Sequence, residues 1–161
     1  MKKTILSIFL SILSVGAFSQ KTVVVKSGTI VPLESVNTVR GANTHEGQHV
    51  DFRVSRDVMI DGVVAIPAGT LAKGTVYEAK RSTAFGTRGR LGIKVNYIIL
   101  PSGEYLNFTA TDVYIKGANR TALSVVIFCF TFLPFPCGGK AEMKPGYEVD
   151  AVVANNTTIE I

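Results

Sequence analysis

His45-Glu46-Gly47-Gln48-His49 has the spacing H-E-x-x-H. In zinc peptidases that spacing works on a helix. Two imidazoles one turn apart hold the metal, and the Glu beside the metal-bound water acts as general base. The context here argues against a helix. Gly41-Ala42-Asn43-Thr44 precedes the motif and Gly47 lies inside it, where glycine costs a helix interior about 1 kcal/mol. A strand-like run starts at Val50. The chain has only these two His, so a third ligand would have to be a carboxylate such as Glu78. The segment reads as a hairpin loop that Gly47 turns into the next strand. A surface metal site on His45 and His49, or a zinc-dependent hydrolase built on them, stands as an alternative.

The second group is basic. Lys73, Lys80, Arg81, Arg88, Arg90 and Lys94 face a single acidic residue, Glu78, with Gly86, Gly89 and Gly92 interleaved. A glycine-rich loop can cradle a phosphate through backbone N–H groups. No helix follows whose N-terminus would complete a P-loop. The plain reading is a solvated hairpin with a glycine-bent tip. The functional reading is contact with an anionic envelope ligand or surface, and Arg81, Arg88 and Arg90 are the residues assigned to it.

The third group is apolar. Ala122 to Phe135 (ALSVVIFCFTFLPF) carries no charge for 14 residues. That is short for a membrane-crossing helix, and Pro134 would end one. The segment is either a buried strand or an exposed contact for a partner or membrane, through Val126, Phe128, Phe130 and Phe132. Cys129 and Cys137 fall at its end. In an exported protein they can form a disulfide, and two buried thiols are the alternative.

Short strands must position these groups. Val50, Phe52 and Val54 alternate with Asp51, Arg53 and Ser55. Leu91, Ile93, Val95, Tyr97 and Ile99 alternate with Gly92, Lys94 and Asn96, and Tyr147, Val149, Ala151 and Val153 alternate with Glu148 and Asp150. Period two places every second side chain on one face of a half-buried strand. Asp61-Gly62 between apolar runs is a hairpin signal, because a type I′ turn needs positive φ at both central residues. Pro101-Ser102-Gly103 and Asn155-Asn156 separate further runs. Ser27-Gly28-Thr29, Ala68-Gly69-Thr70 and Pro145-Gly146-Tyr147 each set a glycine just before a strand, either as an internal repeat or as ordinary strand-entry usage. No ten-residue helical stretch follows residue 20. The pattern predicts an all-β fold, a single antiparallel β-barrel or barrel-like sandwich.

The N-terminus reads as an address. Met1-Lys2-Lys3 is basic, Ile5 to Phe18 is uncharged, and Ala17-Phe18-Ser19 supplies small residues before a cut at Gln20. That order predicts a signal peptide over 1–19, leaving a β-barrel domain over 20–161 with no transmembrane helix. The protein is then exported, to the periplasm or in association with the outer membrane. Loss of Lys2 and Lys3 lowers the net charge from +5 to +3, too mild to mark a nucleic-acid binder. With 18% charged and 47% hydrophobic residues, the chain is neither disordered nor a coiled coil. Two Cys exclude a disulfide-dense miniprotein. No cofactor is implied.

From Val25 to Val113 the order of motifs carries a resemblance. Gly28-Thr29-Ile30-Val31-Pro32-Leu33 is followed by Glu46-Gly47-Gln48-His49-Val50-Asp51-Phe52-Arg53-Val54 and Asp57-Val58. Then come Ile66-Pro67-Ala68-Gly69-Thr70, Lys73-Gly74-Thr75-Val76, Gly89-Arg90-Leu91-Gly92-Ile93 and Ser102-Gly103. This resembles the C-terminal β-barrel of the conjugation and type IV secretion scaffold subunit, and small exported β-barrel proteins of unknown function. The resemblance implies an exported, non-catalytic structural or assembly module with an envelope protein partner. The larger family's proline-rich arm has no counterpart in this sequence, so only the barrel carries over.

Overall fold

A computed structural model describes residues 22–83, 87–118 and 138–160. Among these residues the chain forms twelve strands and no helix. They are β1 (Thr22–Val25), β2 (Ile30–Ser35), β3 (Val39–Arg40), β4 (His49–Val54), β5 (Val58–Ile60) and β6 (Val63–Ile66), followed by β7 (Leu71–Lys80), β8 (Arg90–Ile99), β9 (Tyr105–Lys116), β10 (Glu142–Met143), β11 (Glu148–Val153) and β12 (Thr157–Glu160). Six of them close an antiparallel barrel in the order β11-β2-β4-β7-β8-β9. Closure comes from β11, which pairs with β2 through Glu148–Val152 and with β9 through Val152 and Val153. Three two-stranded ribbons flank it, β1-β12, β3-β10 and β5-β6. The all-β barrel expected from the sequence is the observed architecture.

Alternation fills the interior. Val31, Leu33, Phe52, Ala72, Leu91, Ile93, Val95, Leu106 and Ala151 are fully buried. Each buried Val, Leu, Ile or Phe side chain contributes about 1.5–3 kcal/mol relative to exposure. Phe52 and Gly74 fit together, since a Cβ on Gly74 would lie 2.9 Å from the Phe52 ring. On the outward face, opposite charges sit on neighbouring strands. Arg53 Nε donates to Glu34 Oε1 at 2.6 Å, and Lys73 Nζ donates to Asp51 Oδ1 at 2.5 Å.

One alternation departs from expectation. Tyr97 and Ile99 were expected on the inner face with Leu91, Ile93 and Val95. Instead Ile98 and Leu100 are buried, while Tyr97 and Ile99 are half-buried. The β8-β9 register shifts between Val95 and Tyr97. An extra residue at such a bulge reverses which face the rest of the strand presents.

The turns follow their residues. Asp61 and Gly62 both have positive φ, 51° and 77°, as the β5-β6 hairpin requires. Gly28, Gly47, Gly69 and Gly146 share one device. Each has φ between 78° and 88°. In each case the next residue's N–H bonds back to the residue three positions before it: Thr29 to Lys26, Gln48 to His45, Thr70 to Pro67 and Tyr147 to Lys144. The glycine N–H itself reaches a carbonyl elsewhere in the chain, that of Val153, Val76, Val54 and Ser35 in turn. Glycine at the third position of a four-residue turn is the type II pattern.

At the far end of β7, β8 and β9 the backbone closes tightly. A Cβ on Gly41 would lie 2.6 Å from the Arg90 carbonyl, and one on Gly89 would lie 2.9 Å from the Ala141 nitrogen. A Cβ on Gly117 would overlap the Gly139 carbonyl. Gly139 N–H donates to the Ala118 carbonyl at 2.8 Å, Gly89 N–H to Gly139 at 3.0 Å, and Gly41 N–H to Ala141 at 3.0 Å. Residues 118 and 138, which bracket 119–137, therefore come together at this end of the barrel.

Candidate functional site

The glycine-packed end gathers the cations. Strands β7 and β8 run past β4, which pairs only as far as Thr75. Lys80 and Arg90 then face each other across the β7-β8 pair, and Arg90 faces Lys116 on β9. The two-residue β3-β10 ribbon brings in Arg40 and Glu142 from distant parts of the chain. Thr83 N–H donates to the Thr87 carbonyl at 3.2 Å and closes the loop between β7 and β8.

Two clefts open here. The first, of about 450 Å³, is lined by Arg40, Lys80, Arg81, Lys140 and Glu142, with Ala42, Asn43, Ser82 and Ala141. The second, of about 500 Å³, is lined by Lys80, Arg81, Arg88 and Arg90, with Ala79, Thr83 and Thr87. Both lie in the size range of ligand sites. Arg81, Arg88 and Arg90, assigned to an anionic ligand from sequence, all line the second cleft.

Two carboxylates partly offset this charge. Glu142 Oε1 accepts from Arg40 Nη2 at 3.2 Å. Glu78 Oε1 lies 3.5 Å from Arg90 Nη1 and 3.6 Å from Lys80 Nζ, while Glu78 Oε2 accepts the Tyr114 hydroxyl at 2.8 Å. The Tyr114 hydrogen bond, helped by Arg90 and Lys80, holds the Glu78 carboxyl below its usual range against partial desolvation. The same bond pushes the Tyr114 phenol up. Glu78 is thus kept charged into mildly acidic conditions, and Lys116 Nζ sits 4.8 Å over the Tyr114 ring. Among the described residues, Arg81, Arg88 and Lys140 have no carboxylate within 4.0 Å.

The other sequence candidates fall elsewhere. Lys73 is bonded to Asp51 near the start of β7, about 23 Å along the strand from Lys80 at ordinary strand rise. Lys94 pairs in register with Asp112. The basic stretch is therefore several sites, and only its central part reaches the clefts. The glycine cradle loses its donor at Gly89, whose N–H is taken by Gly139. Gly92 makes room for the Tyr77 ring, 2.6 Å from where its Cβ would stand.

His45-Glu46-Gly47-Gln48 is the type II turn described above, and His49 opens β4. The helix that would align His45 and His49 for a zinc peptidase is not formed. His49 Nδ1 lies 3.5 Å from Thr75 Oγ1, and His45 N–H donates to Gln48 Oε1 at 3.3 Å. Among the described residues no three His, Cys, Asp or Glu side chains come together as a metal site. Residues 1–19, Val126, Phe128, Phe130, Phe132, Cys129 and Cys137 lie outside the described residues.

Arg40 and Lys140 carry no sequence signal of their own. They reach the site through a ribbon too short to show periodicity. The nearest hint was the neighbouring Gly41 and Gly138-Gly139, which mark close backbone approach.

No family model and no curated protein matches the chain. Among solved structures it is similar to ComB10 of the Com type IV secretion system of Helicobacter pylori. The identity is 13% over 83% of this chain and 88% of that one, with a TM-score of 0.44.

Proposed function

We propose that the protein is a non-catalytic β-barrel module of the cell envelope, exported through the signal expected at 1–19, with a structural or assembly role. The observation that carries this reading is the distribution of chemistry on the barrel. The interior is packed with apolar side chains. On the outward face Glu34, Asp51, Glu78 and Glu142 are each engaged by a neighbouring cation. Among the described residues, Arg81, Arg88 and Lys140 at the glycine-packed end have no carboxylate within 4.0 Å, so this end carries a local excess of positive charge. A basic surface of this kind suits holding an oppositely charged partner.

The clefts favour a second, compatible reading in which the held component is anionic. Arg81, Arg88 and Arg90 would make the contact. The apolar segment 122–135 is the proposed second contact for an envelope partner, through Val126, Phe128, Phe130 and Phe132.

The test is the native size of the protein extracted from its own envelope, on a density gradient with and without mild detergent. The expected result is a large assembly that detergent disperses. A free monomer under both conditions would contradict an assembly role.

A further inference from the structure

We infer that the two clefts form one bipartite site for a ligand carrying two phosphate groups. The inference rests on the anion-binding reading above and gives it a chemistry.

The clefts are not independent. Lys80 and Arg81 line both, and so form the wall between them. Each cleft also has cations of its own, Arg40 and Lys140 on one side and Arg88 and Arg90 on the other. Carboxylates engage only some of these. Arg40 is paired with Glu142, and Lys80 and Arg90 share Glu78. That leaves one uncommitted cation at each of three places: Lys140 in the first cleft, Arg81 in the wall and Arg88 in the second. A single phosphate would satisfy the wall and one cleft and leave the other cleft's cation unmatched. Two linked phosphates satisfy all three.

The supporting groups suit phosphate. Arg81 and Arg88 offer forked donors that match phosphate oxygens, and Lys140 offers a point charge. Ser82 lies in one cleft and Thr83 and Thr87 in the other, supplying neutral hydroxyl donors. The backbone beneath is fixed by the contacts of Gly41 and Gly89, so the two halves hold a set spacing. Once one phosphate is seated, the second binds as an intramolecular event at high effective concentration.

The test uses the purified protein and titration calorimetry with inorganic phosphate and tripolyphosphate. Tripolyphosphate is expected to bind at least tenfold more tightly. Lys140→Ala and Arg88→Ala, each confined to one cleft and outside every ion pair named here, should each remove that advantage. The double variant, left with the wall alone, should bind both probes more weakly than either single one. Equal affinity for the two probes, or sensitivity to only one substitution, would overturn the bipartite site. If affinities are equal but Arg81→Gln still abolishes phosphate binding, the basic end binds anions and only the two-phosphate inference falls. Absence of binding by either probe overturns both.

Flotation with vesicles of matched charge, containing cardiolipin with two phosphates or phosphatidylglycerol with one, identifies the source. A cardiolipin preference lost in both single variants supports the site and assigns it to lipid headgroups. Equal flotation with the tripolyphosphate advantage intact supports it and assigns it to a soluble ligand.

Discussion

Replacing Gly117 with valine lowers the melting temperature of the mature barrel by about 10 °C or more in a circular-dichroism melt. A side chain there collides with the Gly139 carbonyl. That neighbour is backbone, held by its own bond from Gly89 N–H, so no flexible side chain can swing aside. Overpacking of this kind costs about 1–3 kcal/mol, and more when backbone must move. For a domain of this size each kcal/mol is worth roughly 2–4 °C. Gly103→Ala is the control. Gly103, unlike Gly117, has a positive φ, 85°, and open space where its Cβ would be. It should cost only the left-handed penalty of about 1 kcal/mol. Equal melting of the two variants would show that the close approach at Gly117 does not hold the barrel end.

The second large effect is on binding. Replacing Arg81, Arg88 and Arg90 together with glutamine removes three positive charges from the second cleft. Each basic residue near an anionic membrane surface contributes about 1 kcal/mol. The triple variant should therefore bind vesicles of anionic lipid about 100-fold more weakly, since each 1.4 kcal/mol is tenfold. Wild-type binding should itself weaken as salt rises, because exposed charges are screened over about 8 Å at physiological ionic strength. Folding should be little affected. Of the three, among the described residues only Arg90 has an ion pair, at 3.5 Å and partly exposed, and such surface pairs are worth about 0–1 kcal/mol. Unchanged affinity in the triple variant, or binding indifferent to salt, would count against the basic end as the contact.

The sequence was most informative where a rule acts over a few residues. Asp61-Gly62 announced its hairpin because two adjacent positive φ angles suit few other pairs. Gly47 denied His45 and His49 their helix for a related reason, and the structure uses it in a turn repeated at Gly28, Gly69 and Gly146. Period two located β4 and the first half of β8. It failed at Tyr97 because a bulge is a property of two strands, and the β8 sequence carries only one of them. Barrel closure is likewise a long-range fact. It depends on Val152 meeting both Ile30 and Thr109, which no local pattern encodes. The candidate site was half legible. Arg81, Arg88 and Arg90 stand close in sequence and drew attention as a group. Arg40 and Lys140 join them only because Val39-Arg40 pairs with Glu142-Met143. The glycines looked like a phosphate cradle and act chiefly as spacers, since what surrounds a glycine decides its use.

Hydrogen–deuterium exchange on the protein in its own isolated envelope, compared with the purified barrel, tests most directly whether the basic end is the working surface. Added protection is expected at residues 40–43, 80–90 and 138–142, with the β5-β6 hairpin at 58–66 unchanged. Protection at the hairpin with none at the basic end would contradict it, as would identical exchange in the two states.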